Sequence, residues 1–183
     1  MLKNQNESKK TRAKCHPSHH MGEKLALERN RKLVKGFLDK PSARWLYVDN
    51  YNEARGVYVI SGYLGGFDGL FSTYHFYVFV KADTVQSYAI SPISARMKRD
   101  EVSEFLTRAN YGMKYGNFEM DWDDGEVRFH LLRSAVSLEN DTDNVMKQLL
   151  QLPASMMHKY ISGLFAVIRG EKTPHEAIDA IEK

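Results

Sequence analysis

The alternation of hydrophobic and polar positions divides the chain into helical and extended segments. Residues 23–38 place apolar side chains at helical spacing and charged ones opposite, which predicts a helix over Glu23–Leu38 that ends before Pro41. A second amphipathic helix is predicted over Ala95–Ala109. Its apolar stripe consists of Val102, Phe105, Leu106 and Ala109.

Four segments rich in β-branched and aromatic residues lie between these two helices and predict strands. They are Trp45–Val48, Val57–Ile60, Tyr74–Val80 and Val85–Ile90. The first connection, Asp49–Gly56, has the composition of a turn, and the second, Gly62–Phe71, is rich in glycine. Because all the connections are short, we expect antiparallel pairing.

Residues 118–131 predict a hairpin of two further strands. The pair Asp124-Gly125 favours a two-residue type I′ turn, and apolar and charged positions alternate on both sides of it. This register brings apolar residues together on one face and acids opposite bases on the other. The predicted pairs are Trp122 with Val127, Met120 with Phe129, Asp121 with Arg128, and Glu119 with His130.

The C-terminal region is predicted to be helical. One helix covers Asn144–Leu152, capped by Asn140 or Asp141 and interrupted by Pro153; apolar positions from Met157 to Ile168 continue at helical spacing up to Gly170. A capping box at Thr173–Glu176 starts a last short helix. The predicted order is α-β-β-β-β-α-β-β-α-α. This order indicates an α+β fold with an antiparallel sheet packed against helices.

Charge is unevenly distributed along the 183 residues, whose formal net charge is +3. Residues 1–20 hold five Lys or Arg and one Glu, a net charge of +4, so residues 21–183 carry −1. The first segment contains no aromatic residue and is predicted to be a disordered basic tail. Residues 21–183 are predicted to form one domain. An alternative is that Met21 is the true start.

The single cysteine, Cys15, excludes an internal disulfide and fits a reducing compartment. No segment is apolar for the length of a membrane helix, and the N-terminus lacks the apolar core of a secretory signal. We therefore expect a cytoplasmic protein without a membrane contact. Metal binding by the tail is left open. Its candidate ligands are Cys15, His16, His19 and His20.

No constellation of residues predicts catalysis, and we assign no catalytic residue, cofactor or metal site. The acidic run Asp121–Gly125 lacks the spacing of a calcium loop, and Gly62–Gly69 lacks the lysine and the following helix of a phosphate loop. The sequence places no Ser, Cys or Asp partner near the histidines His75, His130 and His158, which lie in separate elements. We expect a protein that is not an enzyme.

Tyrosine is concentrated in the predicted sheet. The residues are Tyr47, Tyr58, Tyr63, Tyr74, Tyr77 and Tyr88. These rings either seal the sheet against its helices or form a binding surface, and the apolar residues of Gly62–Phe71 would then act as a binding lip. We predict that a partner contacts this region through Tyr63, Leu64, Phe67, Leu70, Phe71 and Tyr74.

Four segments of the C-terminal half carry a resemblance to a known family. They are Asn117–Asp121, Asp124–Phe129, Leu164–Gly170 and Thr173–Ile178. Over about residues 98–182 the chain resembles the YbjN-like family of bacterial proteins, often described as sensory-transduction regulators. The resemblance implies a fold similar to that of type III secretion chaperones, which bind extended partner segments and often dimerise. It implies no catalytic residue.

Three functions follow as hypotheses. The first is a non-enzymatic protein-binding module, chaperone-like or regulatory, whose partner is a protein, a peptide or a second copy of the chain in a homodimer. The second is a nucleic-acid-associated protein that uses the basic tail, although the near-neutral charge of residues 21–183 argues against nucleic acid. The third is an enzyme or small-molecule binder, which would need a concave pocket.

Overall fold

The architecture is a six-stranded antiparallel sheet with five α-helices packed against it, in a computed structural model that describes residues 17–40, 46–69 and 71–183. The strands are β1 (Tyr47–Asn52), β2 (Val57–Gly65), β3 (Thr73–Val80), β4 (Thr84–Ile90), β5 (Asn117–Met120) and β6 (Val127–Ser134). The helices are α1 (Pro17–Leu38), α2 (Arg99–Asn110), α3 (Ala135–Asn140), α4 (Thr142–Ile168) and α5 (Pro174–Glu182). The strand order is β1-β2-β3-β4-β6-β5, and the predicted α+β class is confirmed.

Helix α1 begins six residues earlier than the sequence predicts, at Pro17. Proline suits the first helical position, because its fixed φ matches a helix and its missing N–H would have no partner there. Residues 17–20 are thus helical, whereas the rest of the predicted disordered tail lies outside the described residues. Asn30 ties α1 to the β3–β4 turn by donating to the carbonyls of Lys81 and Ala82, at 2.8 and 3.0 Å.

The strands β1 and β2 are longer than predicted. β1 continues through Asn52, and a single 3-10 turn, Glu53–Arg55, replaces the predicted turn at residues 49–56. The Asn52 side chain accepts a hydrogen bond from the Arg55 N–H at 3.1 Å, which closes that turn. β2 includes Gly62, where an added Cβ would collide with the Leu46 carbonyl oxygen. This glycine permits close packing within the sheet and does not belong to a loop, so the lip begins only at Gly66.

The predicted register of the β5–β6 hairpin is wrong by two residues. Phe118 lies opposite Phe129 and Met120 opposite Val127. Because the shift is even, the side chains that remain in the two strands stay on their predicted faces. Trp122 leaves the sheet and is 55% exposed.

Hydrogen bonds in the turn explain this shift. The N–H of Asp121 donates to the Glu126 carbonyl at 2.9 Å and closes a four-residue loop instead of a two-residue one. The Asp124 carboxylate accepts from the Glu126 N–H at 2.8 Å. Outside the hairpin, the N–H of Ala95 donates to the Gly125 carbonyl at 2.8 Å, and α2 starts only at Arg99.

The interruption predicted at Pro153 is also wrong, because α4 runs through it without a break. Proline removes one helical hydrogen bond, but buried residues on both sides of it, such as Leu150 and Met157, hold the helix against the sheet. The short helix α3 was not predicted. Three helix-end predictions are confirmed. They are the Asp141 cap of α4, the capping box of Thr173 with Glu176, and the left-handed Gly170.

Two clusters of buried side chains form the core on one face of the sheet. One joins α1, α3 and the first half of α4 to strand residues such as Val78 and Leu131. The other joins α2, α5 and the second half of α4 to residues such as Phe129, and it contains the whole predicted stripe of α2. We call this side of the sheet the helix-covered face.

Candidate functional site

The opposite side of the sheet has no described helix upon it, and we call it the helix-free face. The register places its side chains in rows, with Val59 opposite Phe79, Tyr77 opposite Tyr88, and Tyr88 opposite His130. Each of these residues alternates along its strand with a member of the core. None of them belongs to either core cluster, and all are at least partly exposed.

Six rings form a continuous row across β2, β3, β4 and β6 on this face, which we call the aromatic ladder. Its members are Tyr63, His75, Tyr77, Phe79, Tyr88 and His130. Successive ring centroids lie 4.7, 4.5, 6.2, 5.5 and 4.7 Å apart in that order. Aromatic pairs at these distances contribute about 0.5–1.5 kcal/mol each beyond their buried area. The rings therefore hold one another in place and present a preformed surface.

A charged group closes the ladder at the β5 edge. Glu119 accepts a hydrogen bond from Arg128 Nε at 2.9 Å and lies 2.8 Å from His130 Nδ1. Partial burial acts to raise the pKa of Glu119, but the hydrogen bond from Arg128 and the positive charges outweigh it, so this pKa lies below its ordinary value. Within the described strands Glu119 is the only carboxylate on the helix-free face, and its negative charge is paired with Arg128.

Arg128 and His130 both rest on the ring of Tyr88. The guanidinium carbon of Arg128 lies 4.5 Å from the ring centroid, and His130 stacks at 4.7 Å with an interplanar angle of 14°. His130 Nε2 is buried and has no hydrogen-bond partner among the described residues. These contacts fix three side chains in one arrangement, which lowers the conformational entropy that a partner would have to remove on binding.

The structure separates the residues predicted to contact a partner. Tyr63 lies on the helix-free face and is 63% exposed. Tyr74 lies on the helix-covered face, is 1% exposed, and its hydroxyl lies 3.0 Å from His158 Nδ1 on α4. Leu64, opposite Tyr74, packs half-buried against both core clusters. Of the predicted contact residues in the strands, Tyr63 is thus exposed on the sheet surface, whereas Tyr74 is part of the core.

The lip residues fold over the end of α4. The ring of Phe67 contacts Tyr74 and His158, with centroids 5.1 and 4.9 Å apart, and Phe71 contacts Phe165 at 6.2 Å. Both phenylalanines are half-buried beside the core. Phe67, Phe71 and Tyr74 therefore lie together on the helix side of the sheet, away from Tyr63. Leu70 lies outside the described residues.

The structure divides the six tyrosines of the predicted sheet equally between its two faces. Tyr47, Tyr58 and Tyr74 face the helices, and the Tyr58 hydroxyl donates to Glu28 of α1 at 3.0 Å. Tyr63, Tyr77 and Tyr88 belong to the helix-free face. Burial raises the pKa of Tyr74 to about 12, as expected for a ring inside the core.

Sequence reasoning missed the remaining members of the ladder. The signal was present in β3, where every second residue from His75 to Phe79 is aromatic and the intervening residues are also apolar. Such a strand has large side chains on both faces. Pairing with the neighbouring strands then places further side chains beside those on the second face. His130 appeared only as the base opposite Glu119, and its stacking on Tyr88 depends on the pairing of β4 with β6.

Other candidate chemistry is limited within the described residues. They contain no group of three or more His, Cys, Asp or Glu side chains that could hold a metal ion. The predicted tail ligands, from Cys15 to His20, lie outside the described side chains. No helix in the described part of the chain is long and apolar enough to cross a membrane.

Comparison of the chain with protein-family models, with curated proteins and with solved structures gives no match.

Proposed function

We propose that this protein is a non-enzymatic protein-binding module, chaperone-like or regulatory, and that it binds its partner on the helix-free face. The observation that carries this proposal is the aromatic ladder, which crosses four strands on a face that no described helix covers. Protein interfaces are enriched in Tyr, Phe and Arg and depleted of Lys, Glu and Asp. The described strands carry one carboxylate on this face, Glu119, and it is paired.

The edge strand β1 offers a second means of contact beside the ladder. Its outer edge has no strand partner in the described sheet, and Leu46 and Val48 next to it are 83% and 69% exposed. An extended partner segment can add to such an edge by main-chain hydrogen bonds, with its side chains reaching the sheet face. The proposed mechanism therefore combines burial of aromatic rings with strand addition.

The resemblance of the C-terminal half to the YbjN-like family supports the same proposal, because the related type III secretion chaperones bind extended partner segments. The partner in this proposal is a protein or a peptide, and a second copy of the chain is the homodimeric form of it. A cytoplasmic location belongs to the proposal as well. The alternative is binding of nucleic acid through residues 1–20, most of which lie outside the described residues. The experiments below can distinguish it from protein binding.

The experiment is affinity capture from a lysate of the source cells, followed by mass spectrometry, with light scattering to measure the oligomeric state. The variant that tests the face replaces Tyr63 and Tyr77 by alanine. The matched control replaces Tyr111 and Tyr115, which are 91% and 62% exposed in the loop before β5. We expect the wild-type protein and the control to capture the same partner or dimerise alike, and the face variant to lose that interaction while remaining folded.

Two results would overturn the proposal. One is a partner or dimer that the variant with Tyr63→Ala and Tyr77→Ala retains at wild-type strength. The other is a wild-type chain that is monomeric and enriches no protein.

A further inference from the structure

A depression of about 410 Å³ lies on the helix-free face, at the end of the sheet where the β1–β2 and β3–β4 turns meet. Its lining residues are Asn52, Arg55, Val57, Val59, Phe79, Lys81, Gln86 and Tyr88. The apolar side chains of β2 and β3 form one part of it, and Phe79 and Tyr88 of the aromatic ladder meet edge to face with centroids 5.5 Å apart. The depression is therefore continuous with the proposed binding surface.

Two cations line this depression, and they also line an adjacent one on the other side of the sheet end, where the carboxylates Glu23, Glu28, Glu53 and Asp83 lie. These cations, Arg55 and Lys81, are exposed, and within the described residues neither side chain forms an ion pair. No carboxylate belongs to the lining of the depression on the helix-free face. Arg55 is held at this end of the sheet by the 3-10 turn, which Asn52 caps and Gly56 ends in a left-handed conformation with φ of 57°. An unpaired positive pair beside an apolar floor is complementary to a negative group that adjoins an apolar one.

We propose that this depression takes an acidic–apolar segment of a partner protein: a carboxylate bound by Arg55 and Lys81, and a large apolar side chain seated against Val57, Val59 and Phe79. The inference rests on the proposed function and names the chemistry of its partner. An extended segment places residues i and i+2 on the same side, about 6.5 Å apart, which suits one charged and one apolar contact within a single depression.

The same observations favour a peptide over a single-stranded nucleic acid. Base stacking needs an open ring face, but the ring of Tyr88 already contacts Phe79, Arg128 and His130, at 5.5, 4.5 and 4.7 Å from its centroid. A nucleic-acid backbone also needs cations along its path, and Arg128, the next cation along the ladder, is already bound to Glu119. The aliphatic pair Val57 and Val59 offers nothing to a base or a phosphate.

The test is selection of a random phage-displayed peptide library on the full chain, followed by fluorescence anisotropy with the selected peptides after synthesis. We expect the selected peptides to share Asp or Glu near a large apolar residue. Their affinity should fall at least about tenfold for the variant with Arg55→Ala and Lys81→Ala, which corresponds to about 1.4 kcal/mol. Replacing the same two residues by glutamate should reverse the selection toward basic peptides.

The matched control carries Lys32→Ala and Lys159→Ala, two exposed cations on α1 and α4, and should bind the peptides like the wild-type chain. Peptides without an acid, or equal binding to the Arg55 and Lys81 variant, would overturn the acidic preference. If those peptides still lose affinity when Tyr63 and Tyr77 are replaced by alanine, the proposed binding on the helix-free face is retained and only the acidic preference is rejected.

Three further outcomes of this experiment would overturn more than the acidic preference. Selected peptides that bind both the tyrosine variant and the cation variant at wild-type strength would contradict the helix-free face as the binding site. A library that yields no binder would overturn this inference. An oligouridylate of twelve nucleotides that binds the wild-type chain, and not the Arg55 and Lys81 variant, would overturn it in favour of nucleic acid.

Discussion

The two faces of the sheet are made by the same strands but differ in how their large side chains are satisfied. On the helix-covered face, Phe76 and Val78 are 2% and 0% exposed, enclosed by helices. On the helix-free face, their strand neighbours Tyr77 and Phe79 contact other rings and remain partly exposed. Side chains buried against helices need only fill apolar volume. On the uncovered face, the rings of Tyr and His also carry polar atoms that can contact water. Under the proposed function, a partner would supply the second layer of the helix-free face.

The largest expected effect breaks the helix-covered face. Phe76→Ala should lower the free energy of unfolding by about 3–5 kcal/mol, because it leaves a cavity in a core that cannot collapse around it. Phe79→Ala, on the same strand and opposite face, should cost only about 1 kcal/mol. Urea denaturation of both variants measures the contrast. Equal losses would show that the two faces are alike in the free protein.

The next effect loosens α1 from the sheet. Asp49 accepts hydrogen bonds from Arg31 and Lys35 at 2.7 and 3.1 Å, and its side chain is 12% exposed. Asp49→Asn leaves Lys35 without its counter-charge and Arg31 with only Glu28, 3.4 Å away, and should lower the free energy of unfolding by about 2 kcal/mol. The exposed pair of Asp143 with Lys40 supplies the control. Asp143→Asn should change stability by at most about 0.5 kcal/mol, measured by the same denaturation.

A smaller effect tests the charged end of the helix-free face through pH. Because the folded-state pKa of Glu119 is lowered, its stabilising contribution is present above its ordinary pKa and is lost as pH falls through the folded value. Glu119→Gln should cost about 1 kcal/mol at pH 7, since the group is only partly buried. The difference between wild type and variant should shrink below about pH 4.5, the ordinary pKa of Glu. A difference that stays constant from pH 7 to pH 3 would contradict this assignment.

The smallest expected effect on stability is that of Tyr63→Ala, and it distinguishes most directly between a role in the fold and a role in binding. Tyr63 is 63% exposed and stacks on His75, so Tyr63→Ala should change the free energy of unfolding by about 0.5 kcal/mol or less. Its effect should appear in partner binding instead, as a higher dissociation rate in a surface-plasmon experiment. A large loss of stability together with unchanged binding would assign Tyr63 to the fold and not to the interface.

Local signals in the sequence predicted the elements whose cause is local. The stripe of α2, the cap at Asp141 and the capping box at Thr173 depend on neighbours within a few residues, and each is confirmed. The hairpin register depends on the turn bond from the Asp121 N–H to the Glu126 carbonyl and also on a bond from outside the hairpin, because the carbonyl of Gly125 accepts from the N–H of Ala95. The Asp124-Gly125 pair alone could not reveal that bond. Pro153 was misjudged for the same reason, since the burial of its neighbours outweighs its local cost.

The candidate site was only partly predictable. The aromatic content of β2, β3 and β4 was visible, but which rings meet depends on strand pairing that spans up to 42 residues, from Tyr88 to His130. The sequence suggested the Gly62–Phe71 segment as the binding surface, because glycine and apolar residues occur there together. In the structure, Gly62 belongs to β2, and Phe67 and Phe71 instead cover the end of α4. The side of the sheet that stays open is a property of the helix arrangement, which no local pattern specifies.

The uninterrupted helix α4 has a consequence for how the domain can be divided. Its first half supplies Met146 and Leu149 to one core cluster, and its second half supplies Met157 and Leu164 to the other, with Pro153 between them. Neither cluster is complete without this one helix, and both also draw on strands β3, β4 and β6. We therefore expect that cutting the chain within α4 disrupts both clusters, and that the described residues denature as one cooperative unit. Within α4, the turn at Pro153 lacks one main-chain hydrogen bond, because proline has no N–H to donate.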